Sequence, residues 1–291
     1  MAEKIFRTLS TIEFLVEVLF EGFGNPFKKI RVNNNKLLLI LANGPSLKNK
    51  LSEIKDNIET YINYEYSVIN DFVHNDLFSI LKPLHYTLSD PMFFRDTPQK
   101  ERGLSVMKAL SEKVNWDMYL YINNEFKNSE YLNIIKNNPH IHIICYHHPK
   151  YQGVAKCRNY IFSKGLANGE YSTVVSNSIY IAITEGYKNI QLYGVDHTFF
   201  EGLTVNDQNI PCYIYKHSFD DSAELKPIRF TYNYSREYMD MTMFLYEKYD
   251  VFRGHKYLAS YAKYMGANVI NCTPNSLIDT YIRQKYNNES I

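Results

Sequence analysis

The residues best placed to do chemistry follow an unbroken apolar run near the start of the chain. The run Leu37 to Leu41 stops just before the short turn Asn43-Gly44-Pro45-Ser46. Such a run is typical of a buried parallel strand, and apolar residues recur at helical spacing from Leu47 to Ile62. Glycine permits unusual backbone angles, and serine is a good N-cap. This strand–turn–helix unit predicts an anion site at the helix N-terminus, or else an ordinary turn without a ligand.

Other predicted strands also end in short polar residues. The sequence places Asn70 after the strand 66–69, Asp90 after the strand 85–88, and Asp196 with His197 after the strand 189–193. The carboxyl ends of parallel strands share one edge of a sheet, where open α/β sheets bind ligands. Asp196 has a second interpretation, as a strand-end cap or a buried partner of a loop N–H. The adjacent His147 and His148 cannot both face one metal from a regular strand, so no metal site is predicted.

The elements that must position these residues alternate along the chain. Further strands are predicted at 116–122, 141–146 and 267–271, and helices at 100–113, 129–137, 172–184, 234–249 and 256–265. This alternation predicts an α/β, Rossmann-like fold, with a mainly parallel sheet and helices on both faces. The segment 151–169 is predicted to be a loop, and a C-terminal helix is expected after Ser276.

The domain organisation follows from where this pattern begins and loosens. We predict an N-terminal helix and connector at 1–35 and one domain at 36–291, with an inserted lid at about 198–255. The segment 8–23 is helical and largely apolar. It could pack on the body, dock a partner or lie on a membrane surface, and the glutamates on its polar face favour the first two.

Composition excludes several classes of function. The 291 residues carry a net charge of +1 without a long basic stripe, so nucleic acid is not expected as a partner. The four cysteines form no CxxC pair, which indicates buried free thiols in a reducing compartment. No apolar run approaches the roughly 20 residues that span a bilayer, and no secretory cleavage site is evident. A cytoplasmic location is therefore predicted, and a homo-oligomer is left open.

Three short motifs occur in order, and together they resemble a known family. They are Asn43-Gly44-Pro45-Ser46-Leu47, then Gly186-Tyr187-Lys188 leading to Tyr193-Gly194-Val195-Asp196, then Thr273-Pro274-Asn275-Ser276-Leu277. The pattern resembles the bacterial sialyltransferases of glycosyltransferase family 42. It is also similar to a broader group that is named after an archaeal 6-hydroxymethylpterin diphosphokinase and includes flagellin nonulosonate transferases. The resemblance covers about 37–277, and Gly-Val-Asp-His at 194–197 is closer to the broader group.

The resemblance implies roles for individual residues. The turn 43–46 would face cytidine monophosphate. Asn70 and Asp90 stand where the family has two asparagines that contact the donor, so both are candidate donor-binding residues. Asn275 and Ser276 match a turn near the nucleotide. His255, which follows a glycine and precedes a predicted helix, matches the general base. The other candidate for donor contact is His197, beside Asp196.

The resemblance also implies the reaction. We expect inverting, metal-independent transfer of a sialic-acid-like sugar from a CMP-linked donor to a glycan acceptor, with no further cofactor. Such an enzyme would serve lipopolysaccharide or capsule biosynthesis in the cytoplasm or at the inner face of the membrane. One alternative is a pyrophosphokinase that acts on a pterin-like acceptor, with Mg²⁺ held by Asp90 and Asp196. Another is an inactive nucleotide-sugar-binding module, because an arginine and two lid tyrosines of the family have no clear counterpart.

Overall fold

A parallel sheet forms the centre of the protein. The computed structural model describes residues 2–20, 29–146, 151, 153–168, 173–216, 223–229 and 238–284. The strands are β1 (Leu37–Leu41), β2 (Glu65–Ile69), β3 (His85–Leu88), β4 (Met118–Asn123), β5 (Ile141–Tyr146), β6 (Asn189–Tyr193), β7 (Leu203–Val205), β8 (Pro211–Lys216), β9 (Ala223–Pro227), β10 (Asn268–Asn271) and β11 (Ile282–Arg283). The described strands build one eight-stranded sheet, in the order β11-β10-β6-β1-β2-β3-β4-β5, and a small three-stranded sheet.

The helices pack on both faces of the large sheet. They are α1 (Ala2–Phe20), α2 (Leu47–Asp56), α3 (Ile58–Tyr61), α4 (Phe78–Leu81), α5 (Lys100–Lys113), α6 (Ala155–Ser163), α7 (Val174–Glu185) and α8 (Met241–Met265). Successive side chains of β1 point to opposite faces of the sheet, as expected for the two-residue period of a strand. Leu38 and Ile40 join the core formed with α7 and α8, whereas Leu39 and Leu41 join the core formed with α2 and α5. The predicted fold class is therefore confirmed.

The strand order creates a switch point beside β1. The chain builds the sheet outward from β1 through β2, β3, β4 and β5, and then returns to place β6 on the other side of β1. All the pairings in this sheet are parallel, so the carboxyl ends of β1, β2 and β6 lie at one edge. In open α/β sheets, ligands bind in the crevice at such a switch point.

A small antiparallel sheet follows β6 and covers that edge. The strands β7, β8 and β9 pair antiparallel, and we call them the flap. Phe244 of α8 forms a small apolar cluster with Ile228 and Met239. The half-buried Tyr213 of β8 packs against this cluster. The sequence predicted a lid at 198–255 with no regular strands, so the flap's strands were missed.

Several predicted boundaries are wrong within the described residues. The helix predicted at 47–62 is broken at Asn57 into α2 and α3, and the loop predicted at 151–169 contains α6. The helix predicted at 129–137 is only a 3-10 turn, Glu130–Ile134. No helix follows Ser276 as far as residue 284, where β11 is found instead.

The last long helix also differs from the prediction. Helices were predicted at 234–249 and 256–265, with His255 directly before the second. The structure has one continuous helix, α8, and His255 lies in its interior. Gly254 is buried there, and tertiary packing outweighs the low helix propensity of a single glycine.

Other predictions concern the chain ends and the thiols. The N-terminal helix was predicted at 8–23, and α1 covers 2–20, while residues 21–23 lie outside the described residues, as do His147 and His148. None of the described helices has the length and apolar character that crossing a bilayer requires. None of the four cysteines, all of which lie in the described residues, forms a disulfide; Cys212 and Cys272 are buried as predicted, but Cys157 is exposed.

Candidate functional site

A cavity of about 730 Å³ lies at the switch point. Its floor consists of the residues that follow β1, β2 and β6, one wall is the N-terminus of α7, and the flap and α8 supply the rest. The described lining residues are Ala42, Asn43, Gly44, Pro45, Ile69, Asn70, Thr173, Val174, Val175, Gly194, Val195, Asp196, His197, Thr198, Phe199, Glu201, Tyr213, Lys248 and Val251. A concave, mostly apolar site with a few polar groups is the usual form of a small-molecule site.

Gly44 lets two strand ends approach each other closely. Its N–H donates to the carbonyl oxygen of Gly194 at 2.8 Å. A Cβ on Gly44 would lie 1.9 Å from Oδ2 of Asp196 and 2.5 Å from that same carbonyl oxygen. Gly44 does not have the positive φ that the sequence argument assumed. It is required because there is no space for a side chain, not because of its backbone angles.

Asp196 occupies the N-terminus of α2. Its Oδ1 accepts the Ser46 N–H at 3.2 Å, and its Oδ2 accepts the Ser46 hydroxyl at 2.8 Å. Ser46 therefore makes no side-chain cap to α2, contrary to the prediction. The anion expected at this helix N-terminus is the protein's own carboxylate, which is favourable at that end of the helix dipole. Asp196 thus acts as the buried partner of a loop N–H, which is the second interpretation that the sequence left open.

Asn70 presents an unusual conformation at the end of β2. Its φ is +50°, a left-handed conformation that asparagine tolerates better than most residues. The backbone carbonyl of Asn70 accepts a hydrogen bond from the Tyr86 hydroxyl. Its side-chain Oδ1 is buried and has no hydrogen-bond partner among the described residues. Buried polar atoms are nearly always paired, so Asn70 has an acceptor available for a ligand.

His197 lines the cavity and leads into a buried row of polar side chains. Its φ is +53°, and strained conformations of this kind cluster at functional sites. Nε2 of His197 lies 2.9 Å from Nε2 of His255, whose Nδ1 lies 3.0 Å from the Tyr281 hydroxyl. Burial lowers the pKa of His197 to about 4, with a smaller contribution from Lys248. Burial also lowers the pKa of His255, so both imidazoles are neutral at neutral pH.

The flap and α8 add groups that no motif indicated. Lys248 lines the cavity, with Nζ 4.6 Å from the centroid of the Phe199 ring and 2.7 Å from Oε1 of Glu247. Lys248 is the only lysine or arginine among the described lining residues, and Glu201 lines the cavity as a carboxylate. The hydroxyl of Tyr213 donates to the carbonyl of Phe199 at 3.1 Å. Tyr281 was also missed, because it comes after the last motif, where a C-terminal helix was expected.

The N-terminus of α7 is a second wall that can favour negative charge. Thr173 is its N-cap, and its hydroxyl accepts the Ser176 N–H at 3.3 Å. Thr173, Val174 and Val175 all line the cavity. This helix points its positive dipole end at the cavity, and its first turn contains no acidic side chain.

The structure does not bring all the predicted site residues to the cavity. Asn43, Gly44, Pro45, Asn70, Asp196 and His197 line it, whereas Ser46, Asp90, His255, Asn275 and Ser276 do not. Asp90 caps a 3-10 turn by accepting the Met92 N–H at 3.0 Å. His255 has no exposed surface and reaches the cavity only through His197.

The last motif supports the floor of the cavity from behind. The Ser276 hydroxyl donates to the carbonyl of Val195 at 2.6 Å, and the Leu277 N–H donates to the carbonyl of Asp196 at 3.1 Å. Asn275 is exposed and has a φ of +54°. The turn 273–277 thus fixes the backbone that carries Asp196 and His197. Among the described residues, no cluster of three or more His, Cys, Asp or Glu side chains is arranged to hold a metal ion.

Comparison with known proteins gives little further guidance. No protein-family model and no curated protein matches the chain. The solved structure of the MAf glycosyltransferase from Magnetospirillum magneticum AMB-1 is similar to this chain, with 12% sequence identity and a TM-score of 0.47. The similarity covers 90% of this chain and 36% of that chain, so this chain spans about a third of that protein's length. The chemistry of the site therefore rests on its own residues.

Proposed function

We propose that the protein is a glycosyltransferase that binds a CMP-linked, sialic-acid-like donor in the switch-point cavity and transfers the sugar to a glycan acceptor. One observation carries the proposal: the ends of β1, β2 and β6, which hold Gly44, Asn70 and His197, meet in a single cavity. The motif resemblance supplies the nucleotide and the sugar. As part of the same proposal, the enzyme acts in surface-polysaccharide biosynthesis, in the cytoplasm or at the inner face of the membrane.

The cavity has groups suited to an anionic donor. Lys248 and the N-terminus of α7 favour negative charge, as the phosphate of a CMP-sugar requires. Ile69, Val175 and Val251 give the same cavity an apolar surface. In sugar transfer of this kind the phosphate departs as positive charge builds on the sugar ring, so these positive groups would stabilise the departing phosphate.

The acceptor hydroxyl must lose a proton during transfer. The resemblance assigned this task to His255, but His255 is buried behind His197 and does not line the cavity. The side chains that line it and could accept a proton are His197, Glu201 and Asp196, but both carboxylate oxygens of Asp196 are bound by Ser46. The candidates are therefore the imidazole of His197 and the carboxylate of Glu201. The flap would keep water from hydrolysing the donor while the acceptor binds.

The alternatives predict different ligands. The pyrophosphokinase alternative needs Asp90 and Asp196 to share Mg²⁺, but only Asp196 lines the cavity, and its carboxylate is bound to Ser46. An inactive module would bind the nucleotide without turning over a donor. A donor-hydrolysis or transfer assay separates that module from an enzyme.

A thermal-shift panel of CMP, CDP, UDP, GDP and ATP, with and without Mg²⁺, tests the proposal. A ligand that binds only the native state raises the melting temperature as its concentration exceeds Kd. We expect CMP to stabilise the protein in the presence or absence of Mg²⁺. Stabilisation by ATP only with Mg²⁺, and none by CMP, would reject the glycosyltransferase in favour of the pyrophosphokinase.

A further inference from the structure

The buried row behind the cavity determines which nitrogen of His197 carries its hydrogen. The row runs from Tyr281 through His255 to His197, with heavy-atom separations of 3.0 and 2.9 Å. His255 has no exposed surface, and only 7% of Tyr281 is exposed. Each neutral imidazole has one N–H and one lone pair, so the two Nε2 atoms share a single hydrogen.

The hydroxyl of Tyr281 fixes the direction of the row. Its only hydrogen-bond partner among the described residues is Nδ1 of His255. A buried phenol hydrogen without an acceptor would be costly, so the Tyr281 hydroxyl donates to Nδ1 of His255. His255 then carries its hydrogen on Nε2 and donates it to Nε2 of His197. His197 in turn must carry its own hydrogen on Nδ1.

We propose that Tyr281 and His255 hold His197 in the Nδ1–H tautomer, so that His197 offers a hydrogen-bond donor to an anionic group in the cavity. Nδ1 of His197 has no hydrogen-bond partner among the described residues, and the residue lines the cavity. The ring is held in place by stacking on Phe199, with centroids 4.9 Å apart. His255 and Tyr281 are then positioning residues that touch no ligand.

This inference rests on the proposed function and decides between its two candidate proton acceptors. The donor's phosphate is the anionic group that His197 would bind, through a neutral N–H that needs no protonated imidazole. A histidine in this tautomer has no free lone pair on the cavity side, so it cannot take the acceptor's proton. Glu201 remains as the lining carboxylate that Ser46 does not hold, and it could accept that proton.

The tautomers can be measured on the free protein by NMR of ¹⁵N-histidine-labelled full-length chain. Long-range ¹H–¹⁵N spectra distinguish a protonated from a bare ring nitrogen, and His197→Gln and His255→Gln variants assign the two residues. We expect Nδ1–H on His197 and Nε2–H on His255 at pH 7. Nε2–H on His197, or a charged imidazolium there, would overturn the inference.

A variant then tests whether Tyr281 sets the tautomer. Tyr281→Phe removes the only donor to Nδ1 of His255, so we expect a mixture of His197 tautomers and a Kd for CMP about tenfold higher, with cytidine binding unchanged. Tyr180→Phe is the matched control, because Tyr180 is also buried but donates to the carbonyl of Phe162, outside the row. Unchanged His197 tautomers in Tyr281→Phe, or equal losses for CMP and cytidine, would contradict the inference.

The two proposals can fail separately. Failure of CMP to bind the wild-type protein would reject the proposed function, and the spectra of the free protein would still decide the tautomer. CMP binding with Nε2–H on His197 would instead retain the proposed function and reject this inference.

Discussion

At the scale of single residues, the site depends on which histidine meets the ligand. The motif resemblance points to His255, but His255 is buried and lies behind His197, with which it is hydrogen-bonded. The distinction could not be read from the sequence, because it depends on the continuity of α8 through Gly254 and on Tyr281, which is 26 residues away along the chain. Gly44, Asn70 and Asp196 were identifiable, because each follows a predicted strand.

The close approach at Gly44 makes a prediction about stability. Gly44→Ala would place Cβ 1.9 Å from the Asp196 carboxylate, so we expect the free energy of unfolding to fall by about 3 kcal/mol. Chemical denaturation measures the loss. Gly266→Ala is the control, because its Cβ would meet only the end of Lys188 at 3.6 Å, although its φ is +67°. That variant should lose only about 1 kcal/mol, and equal losses would contradict the steric explanation.

Lys248 makes a prediction about ligand charge. We expect Lys248→Gln to weaken CMP binding about tenfold, because an attraction worth about 1.4 kcal/mol to the phosphate is lost. Isothermal titration measures the effect, which should change little with salt because the Lys248 side chain is only 14% exposed. Cytidine, which lacks the phosphate, is the control ligand. An equal loss for both ligands would show that Lys248 supports the cavity's shape and not its charge.

At the scale of elements, the flap is held to α8 by a small apolar cluster. Phe244 has no exposed surface, and its ring lies 6.3 Å from that of Tyr213 and 6.1 Å from that of Phe200. Ile228 and Met239 complete the buried part of the cluster. Because this cluster is separate from the two cores of the large sheet, the flap can open without global unfolding.

Removing the Phe244 ring should therefore loosen the flap alone. We expect Phe244→Ala to speed amide hydrogen exchange in β7 and β8 at least tenfold while β1 stays protected, and to weaken CMP binding. The neighbouring Leu245→Ala is the control, since 49% of Leu245 is exposed. Equal acceleration in β1 would mean that the flap and the large sheet open together.

The elements also show where sequence reasoning succeeds. β1, β3, β5 and β6 were predicted closely, because local apolar runs and the turn residues that bound them define such strands. The flap's strands were missed, because short antiparallel strands are stabilised by cross-strand pairs that a local pattern does not reveal. The cavity wall from α7 was likewise not singled out as part of the site, since its position depends on how the helix packs beneath α8.

At the scale of the whole molecule, a buried polar network crosses the protein at the amino ends of the strands. Glu185 of α7 accepts hydrogen bonds from the Tyr121 hydroxyl at 3.1 Å and from the Ile30 N–H at 2.8 Å. His85 lies between the hydroxyls of Tyr121 and Tyr187, at 3.1 and 2.8 Å. Burial raises the pKa of Glu185 to about 7 and lowers the pKa of His85 to about 3.

These two displaced pKa values give opposite pH dependences. Glu185 has a higher pKa in the folded state than its ordinary value of 4.5. Its contribution to stability is therefore fully present below pH 4.5 and is lost as the pH rises to about 7. A histidine whose pKa is lowered destabilises the fold as the pH falls below 6.5. The wild-type curve therefore mixes both effects, and only a comparison with a variant separates them.

Glu185→Gln removes the carboxyl contribution and leaves His85 in place. We expect the stability of the variant relative to wild type to rise by up to about 3 kcal/mol between pH 4.5 and 7, because a tenfold difference in proton affinity between the folded and unfolded states is worth about 1.4 kcal/mol. Urea denaturation across that range measures the difference. A difference that stays constant with pH would contradict the assigned pKa of Glu185.

The central claim is that the switch-point cavity binds the nucleotide. Methyl NMR of protein labelled at isoleucine and valine, titrated with CMP, tests it directly. We predict saturable shifts at Ile69, Val175, Val195 and Val251, which line the cavity, and none at the buried methyls of Ile54 and Val106, which do not line it. No shifts at saturating CMP, or shifts centred away from the cavity, would contradict it.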